Sequence, residues 1–260
     1  SRTPVTPKTA IDFFEARVAW PGKSGNPPVV AVWARPRLAA NLRVSLDHSM
    51  DEKLEQLFRK HRLGGKEVAL EPFASGVALE GIESGKAASR VEVHENGTIR
   101  GSWALPVVEF EEALAEGWMS PGDPDAGSAR PWLRFDETAR VVIYAAFFAA
   151  AVYGTRRTAM EIEFLFGLHR CQGFRVMVPE LLGEMPRGVV FDPAPFDAYP
   201  GRVPGHPLGN EPTYASAAVR TTEANSRVVP VREDLLELVR ALSRAVGVSA
   251  PDSRLEKYLP

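Results

Sequence analysis

Between Val141 and Tyr153 the chain carries thirteen residues without a charge, and beyond Met160 it switches to alternation of apolar and charged positions. The first pattern predicts a helix that is apolar round its whole circumference, so it must be covered on more than one side, by a sheet and at least one further helix. Asp136, Glu137 and Arg140 precede the run and Gly154, Arg156 and Arg157 follow it, a charge order that complements the helix dipole. The run is shorter than the roughly 20 apolar residues that a bilayer requires. Ala145, Ala146, Ala149, Ala150 and Ala151 permit close approach, while Tyr144, Phe147, Phe148 and Tyr153 fill space between elements. A structural core helix is the plain reading. A ligand tunnel lined by its aromatic residues, or a dimer interface, are the alternatives.

The second pattern puts Met160, Ile162, Phe164 and Phe166 on one face of a strand and Glu161 and Glu163 on the other. Phe174, Val176 and Val178 alternate likewise, and the two segments predict an antiparallel hairpin joined through residues 167–173. Upstream, 29–33 reads as a strand buried on both faces, 42–46, 68–70 and 77–79 as further short strands, and 107–118 as a helix. Thr9 caps a short helix over 10–19. Ser49-Met50-Asp51-Glu52 reads as a capping box that opens a helix with Met50, Leu54, Leu57 and Phe58 at helical spacing, His61 and Arg62 in its last turn and Gly64-Gly65 as its stop.

The hairpin around Glu95-Asn96-Gly97 has two possible registers. A two-residue turn would put Val93 opposite Arg100 and split the apolar sets onto different faces. A three-residue loop pairs Val93 with Ile99 and Val91 with Gly101, keeps Trp103 on the same face and needs Gly97 in the left-handed region. The last periodic segment, 232–246, predicts a helix with Leu235, Leu236, Val239, Leu242 and Val246 inward.

These elements predict an α+β protein of two packed halves, each a small, mostly antiparallel sheet covered by helices. Residues 1–119 form the first half, the proline- and glycine-rich 120–131 the linker, and 132–260 the second half. Within the second half, 183–213 is again rich in proline and glycine and carries Phe191, Phe196, Tyr199 and His206. A loop of that length in a compact domain reads as a lid or binding arm, and its aromatic residues favour a packed arm over disorder.

At 260 residues with 45% hydrophobic and 25% charged positions, the composition is that of an ordinary globular protein. A formal net charge of −2 argues against a general polyanion binder. The single cysteine, Cys171, excludes an intramolecular disulfide and a cysteine-rich zinc site, which points to the reducing cytoplasm. The excess of arginine over lysine is what a GC-rich, bacterial genome produces. A start without methionine points to a piece of a longer protein.

Candidate chemistry is sparse. His48, His61, His94, His169 and His206 are scattered without the spacing of a metal site, so neither a metal nor a cofactor is expected. His169 and Cys171 could approach as base and nucleophile across a turn. Glu161 and Glu163 share a strand face, with Arg175 expected opposite them on the partner strand; solvated, charge-paired carboxylates are the plain reading. Arg156, Arg157, Glu161, Glu163, His169, Arg175, Tyr199 and His206 are the ligand-binding candidates. Arg35, Arg37, Arg43, Arg59 and Arg62 make a candidate anion patch, joined by Lys60 and His61. Gly22-Lys23-Ser24 lacks the earlier glycine of a phosphate loop and follows a helix instead of a strand. The carboxylates near Lys257 lie in a tail with the wrong spacing for a nuclease centre.

The succession DETARVVIYAAFFAAAVYG, TAMEIEFLFGL and VREDLLELVRALSRAVG, at 136–154, 158–168 and 231–247, resembles the region that follows the AlbA/Schlafen-type ATP-binding module in some bacterial proteins. The glycine-containing nucleotide loop of that module has no counterpart here. The resemblance therefore implies an accessory or sensing domain of a larger regulatory or defence protein and assigns no residue to ATP chemistry. The function expected is a non-catalytic binding, sensing or regulatory domain of a bacterial cytoplasmic protein, its partner a protein or a small molecule. A small-molecule enzyme with 183–213 as its lid, and a nucleic-acid-binding module on the arginine patch, are the alternatives. No membrane association is expected.

Overall fold

Val29 to Ala34 contain no polar side chain, so a strand built from them must be covered on both faces. The computed structural model describes residues 28–37, 44, 46, 48–61, 63, 66–83, 86–108, 115, 132–154, 160–169, 175–177, 213–224, 227–245 and 251–260. In it, β1 (Val29–Pro36) lies inside an eight-stranded sheet and every residue from Val29 to Ala34 is buried. Its companions are β2 (Glu67–Phe73), β3 (Gly76–Glu83), β4 (Lys86–His94), β5 (Ile99–Ala104), β8 (Glu161–His169), β10 (Thr213–Ala224) and β11 (Arg227–Pro230), in the order β11-β10-β8-β1-β5-β4-β3-β2. Every pairing in this sheet is antiparallel. A second sheet holds β6 (Val107–Val108), β7 (Trp132–Arg134) and β9 (Arg175–Met177) in the order β6-β7-β9. The helices are α1 (His48–Lys60), α2 (Phe135–Tyr153), α3 (Arg232–Ala245) and the short α4 (Asp252–Leu255), which runs into a 3₁₀ turn over Glu256–Tyr258.

The molecule mixes helix with a large antiparallel sheet, as expected, but the sheets are not divided between two halves. β1 pairs with β5 on one side and β8 on the other, and the small sheet likewise joins β6 to β7 and β9. The physical reason is β1 itself: a strand apolar on both faces belongs in the middle of a sheet, where both edges are paired and both faces covered. The linker expected at 120–131 lies outside the described residues.

The hairpin takes the three-residue register. Val93 pairs with Ile99 and Val91 with Gly101, and Gly97 has φ 78°, where a side chain is strained. Gly101 serves a different need. A Cβ there would overlap the Trp103 indole, which lies flat over it on the same face. That indole donates to the Leu63 carbonyl at 2.9 Å and ties β5 to the exit of α1.

Other expectations change. Ser49 sits within the first turn of α1, because the helix begins at His48 and not after a capping box. Residues 107–108 are strand; of the helix expected at 107–118, residue 115 is helical and 109–114 and 116–118 lie outside the described residues. Of 42–46, Val44 and Leu46 are described, and neither belongs to a strand. β8 and β9 do not form a hairpin: β8 has both edges occupied, by β1 and β10, and β9 runs parallel to β7 in the small sheet. The segment 10–19 and the Gly22-Lys23-Ser24 triplet lie outside the described residues.

α2 is the helix read from the charge-free run. It packs against β1, β5, β7 and β11 and is flanked by α1 on one side and α3 on the other. Asp136 and Glu137 occupy its first turn, and Thr138 Oγ1 donates back to the Arg134 carbonyl at 3.0 Å. Its other end is pinned by Tyr153, which is fully buried. The Tyr153 hydroxyl donates to the Gly97 carbonyl at 2.7 Å, with the Ala34 carbonyl 3.3 Å away. One phenol thus fastens the helix to the β4–β5 turn and to β1. Burial pushes its pKa well above 10, so it stays a donor.

α3 packs on β10, and Arg220 of β10 donates from both its backbone and its guanidinium to Asp234 of α3. Leu238 joins Leu235, Val239 and Leu242 in the core, while Leu236 is half-buried. Among the described residues no helix is long and apolar enough to cross a membrane.

Replacing Tyr153 by Phe keeps the packing and leaves the Gly97 carbonyl without its donor, a loss of about 1–3 kcal/mol. Gly97→Ala should cost about 1–2 kcal/mol through the left-handed backbone alone. Urea unfolding should show both as lower midpoints at an unchanged slope, and a midpoint unmoved in both variants would contradict the fastening role.

Candidate functional site

α1 sends Leu54 and Phe58 into the core, where Phe58 meets Phe148 edge-on with centroids 6.3 Å apart. The next stripe of the same helix, Lys53, Leu57, Lys60 and His61, spaced i, i+4, i+7 and i+8, is turned toward α2. α2 answers with Tyr144, Phe147, Ala151 and the Gly154 that caps it. These two stripes do not close on each other. Between them lies a groove of about 480 Å³, completed by Val228 and Val229 of β11, with Glu223, Arg227 and Pro260 alongside. The small side of α2 is what keeps it open, since Ala151 stands where a larger residue would fill the space. A Cβ on Gly154 would overlap Val228, so α2 ends in close contact with β11.

His61 is the polar group set deepest between the stripes. Its ring stacks on Phe147 with centroids 6.1 Å apart and an interplanar angle of 19°. Its Nε2 is buried without a hydrogen-bond partner among the described residues. Burial, and then the Lys60 ammonium beside it, lower its pKa from 6.5 to about 4. At neutral pH it is therefore an uncharged imidazole with hydrogen-bonding capacity unused. Lys53, Lys60, Arg227 and Glu223 are all exposed, and none of them is in an ion pair among the described residues. Three cations and one carboxylate thus border an apolar cleft.

The opposite face of the sheet carries a different polar array. Glu71, Ala78, Glu92, Arg100, Trp33, Leu165 and Ser216 follow one another in register across seven strands. Arg90 is gripped by Glu71 at 3.2 Å, by Glu92 at 3.3 Å and by Glu80. Glu92 in turn lies 3.2 Å from His94 Nε2, both are buried, and Phe73 sits edge-on against the His94 ring at 5.1 Å. Burial alone would raise the Glu92 pKa, but hydrogen bonds from His94 and Arg90 outweigh it and hold the carboxyl below its usual range. Its charges are spent on one another.

The same holds for five of the candidates read from the sequence. Glu163 accepts from Arg35 at 2.7 Å and Glu161 from Arg37 at 2.7 Å, with Arg37 Nε also 3.9 Å from Glu163. The partners of the two carboxylates come from β1 and the residue after it, not from Arg175, because β9 belongs to the other sheet. Arg35 further lies over the Trp33 ring, 5.0 Å from its centroid. Arg59 is paired with Glu55 one turn away at 2.8 Å. The described members of the arginine patch are therefore neutralised by carboxylates. His169 ends β8 opposite Val29, away from Glu161 and Glu163 at the far end of the strand. Arg43, Arg62, Arg156, Arg157, Cys171, Tyr199 and His206 lie outside the described residues, as does the 183–212 segment. Of His48 and Arg175 only the backbone is described. Among the described residues no three His, Cys, Asp or Glu side chains converge as metal ligands.

No protein-family model matches this chain, and neither the curated proteins nor the solved structures compared with it yield a match.

The groove draws on residues that the sequence assigned first to other work: Leu57 to the apolar face of a helix, His61 to the margin of the anion patch, and Tyr144 and Phe147 to core filling, with a ligand tunnel as the alternative for the two aromatics. Its trace in the sequence is the pairing of large and small positions in one stripe of α2, Tyr144 and Phe147 beside Ala151 and Gly154.

Two outcomes follow from the electrostatics. A His61 pKa lower in the folded than in the unfolded chain makes the unfolded state bind the extra proton. Stability is then complete above about pH 6.5 and declines as pH falls toward about 4. His61→Gln should flatten that slope in pH-dependent thermal melts, and NMR titration of the wild-type imidazole should place its midpoint well below 6.5. Separately, Arg90→Leu strips Glu92 of a charged donor and should cost about 2 kcal/mol at pH 7. The loss should shrink in acid as Glu92 takes up a proton, and a loss independent of pH would speak against the carboxylate's part in it.

Proposed function

We propose that this chain is a binding or sensing module that takes a small molecule in the groove between α1 and α2. The observation that carries this reading is the groove's make-up: about 480 Å³ of cleft with aromatic and aliphatic walls, a neutral imidazole among them, and charges alongside that have no ion pair among the described residues. Ligand sites are typically clefts of roughly 300–1,000 Å³, mostly apolar, with a few convergent polar groups. The arrangement suits recognition better than reaction, since the described polar groups around it, three cations, one carboxylate, one imidazole and the Tyr144 hydroxyl, form no nucleophile–base hydrogen bond with one another. The resemblance of 136–154 and the segments after it to the region following the AlbA/Schlafen-type module agrees with an accessory, sensing role. Charge-neutralised arginines on the sheet face and on α1 weigh against the nucleic-acid reading.

Screening against pools of metabolites by thermal shift tests this directly. A ligand at a hundredfold excess over its Kd should stabilise by about 2.7 kcal/mol. Ala151→Phe, which fills the groove from an already half-buried position, should keep the fold and remove that shift. Stabilisation that survives in Ala151→Phe would assign the ligand to another place.

A further inference from the structure

Resting on the groove as the binding site, we infer that its ligand is an amphipathic organic anion: a flat or aliphatic apolar body carrying a carboxylate, sulfonate or phosphate-type group at one end. Two features of the groove argue for this occupant. The first is its apolar wall, formed by Leu57, Phe147 and Val228 from three different elements, which matches a hydrophobic body and would leave a fully charged ligand poorly solvated. The second is the charge at its edge. Lys53 and Lys60 stand on the same stripe of α1 as His61, Arg227 lies on the β11 side, and among the described side chains lining the groove Glu223 is the one carboxylate facing these three cations. Elsewhere in the described structure Arg35, Arg37 and Arg90 are met by carboxylates within hydrogen-bond distance. Here the cations have no such partner among the described residues, so the edge keeps a positive field that an incoming anion would satisfy. His61, stacked on Phe147, adds a flat, uncharged face to the cleft wall that suits the body of the ligand, while the anionic group stays with the lysines and Arg227.

A matched pair of fluorescent probes separates the charge from the apolar body. 8-Anilinonaphthalene-1-sulfonate has the amphipathic anion's make-up, and N-phenyl-1-naphthylamine is the same body without the sulfonate. The full chain should bind the sulfonate at least about tenfold more tightly, a preference that fades with added salt. Lys53→Glu combined with Lys60→Glu changes exposed side chains and should weaken the sulfonate about tenfold, the size expected of two exposed ion pairs, leaving the amine unaffected. Ala151→Phe should exclude both probes, with near-UV circular dichroism verifying that each variant keeps its packing.

Equal affinity for the two probes, both lost in Ala151→Phe, would overturn the anion preference and leave the groove standing as a binding site. Binding of either probe that Ala151→Phe does not disturb would overturn the groove itself, and so would the absence of binding by both. A dimer in solution that Ala151→Phe dissolves would give the groove to a second copy of the chain, and the inference would fall with it.

Discussion

A strand with no polar side chain from Val29 to Ala34 can be placed in very few ways, and the rest of the molecule is arranged around that restriction. Its backbone groups need ladder partners on both edges, which β5 and β8 provide, and its two side-chain faces both need cover. On one face Val30, Val32 and Ala34 join Ile162, Phe164, Phe166 and Leu168 of β8 and Ile99 and Trp103 of β5 in a continuous apolar surface. Only an equally apolar helix can lie on such a surface, and α2 is the charge-free segment that does. The Tyr153 hydroxyl then fixes the position of that helix along the sheet, since its acceptor, the Gly97 carbonyl, exists in that place only because the hairpin takes its three-residue turn.

Covering α2 sets up the groove. An all-apolar helix needs neighbours on its flanks as well as the sheet beneath it, and α1 and α3 occupy those flanks. α1 meets α2 through Phe58 and Phe148, with the next stripe held off by the bulk of the His61–Phe147 stack. Toward Ala151 and Gly154 the α2 surface then drops away, and the space between the helices has no side chain to fill it. The groove is thus a consequence of one helix being wide at Tyr144 and Phe147 and narrow one or two turns later.

The elements with a strong local period were legible in the sequence, and those that depend on a neighbour were not. Val91, Val93, Ile99 and Trp103 sort onto one face only in the three-residue register, so the hairpin could be read to the residue. The alternation of Ile162, Phe164 and Phe166 told which face of β8 is buried, but alternation carries no information on which strand lies alongside, and the expected pairing with 174–178 failed for that reason. β10 was missed because its Tyr-Ala-Ser-Ala-Ala run is of weak strand preference, and it becomes a strand through the free edge that β8 offers. The groove was hidden more deeply still. Its walls come from the stretches 53–61, 144–154 and 223–229, set far apart in the chain, and its defining property, the space beside Ala151, belongs to no residue type. The partners of Glu161 and Glu163 show the same limit: the expectation of charge pairing was sound in kind, yet the arginines came from β1 and the residue after it, some 125 residues away in sequence.

Charge is also distributed by these placements. Polar residues on one face of a sheet recur every second position, and with strands in register a carboxylate on one comes to stand beside an arginine on the next. Arg90 with Glu71, Glu80 and Glu92, and Arg35 and Arg37 with Glu163 and Glu161, are instances of that geometry. A helix stripe has no such ladder. Lys53 and Lys60 project toward α2, whose facing side is apolar for the reason already given: it must be buried. The requirement that makes α2 a core helix therefore also means that α2 offers those lysines no carboxylate, and a cationic edge without an ion pair among the described residues, beside an apolar cleft, follows from the packing of the core.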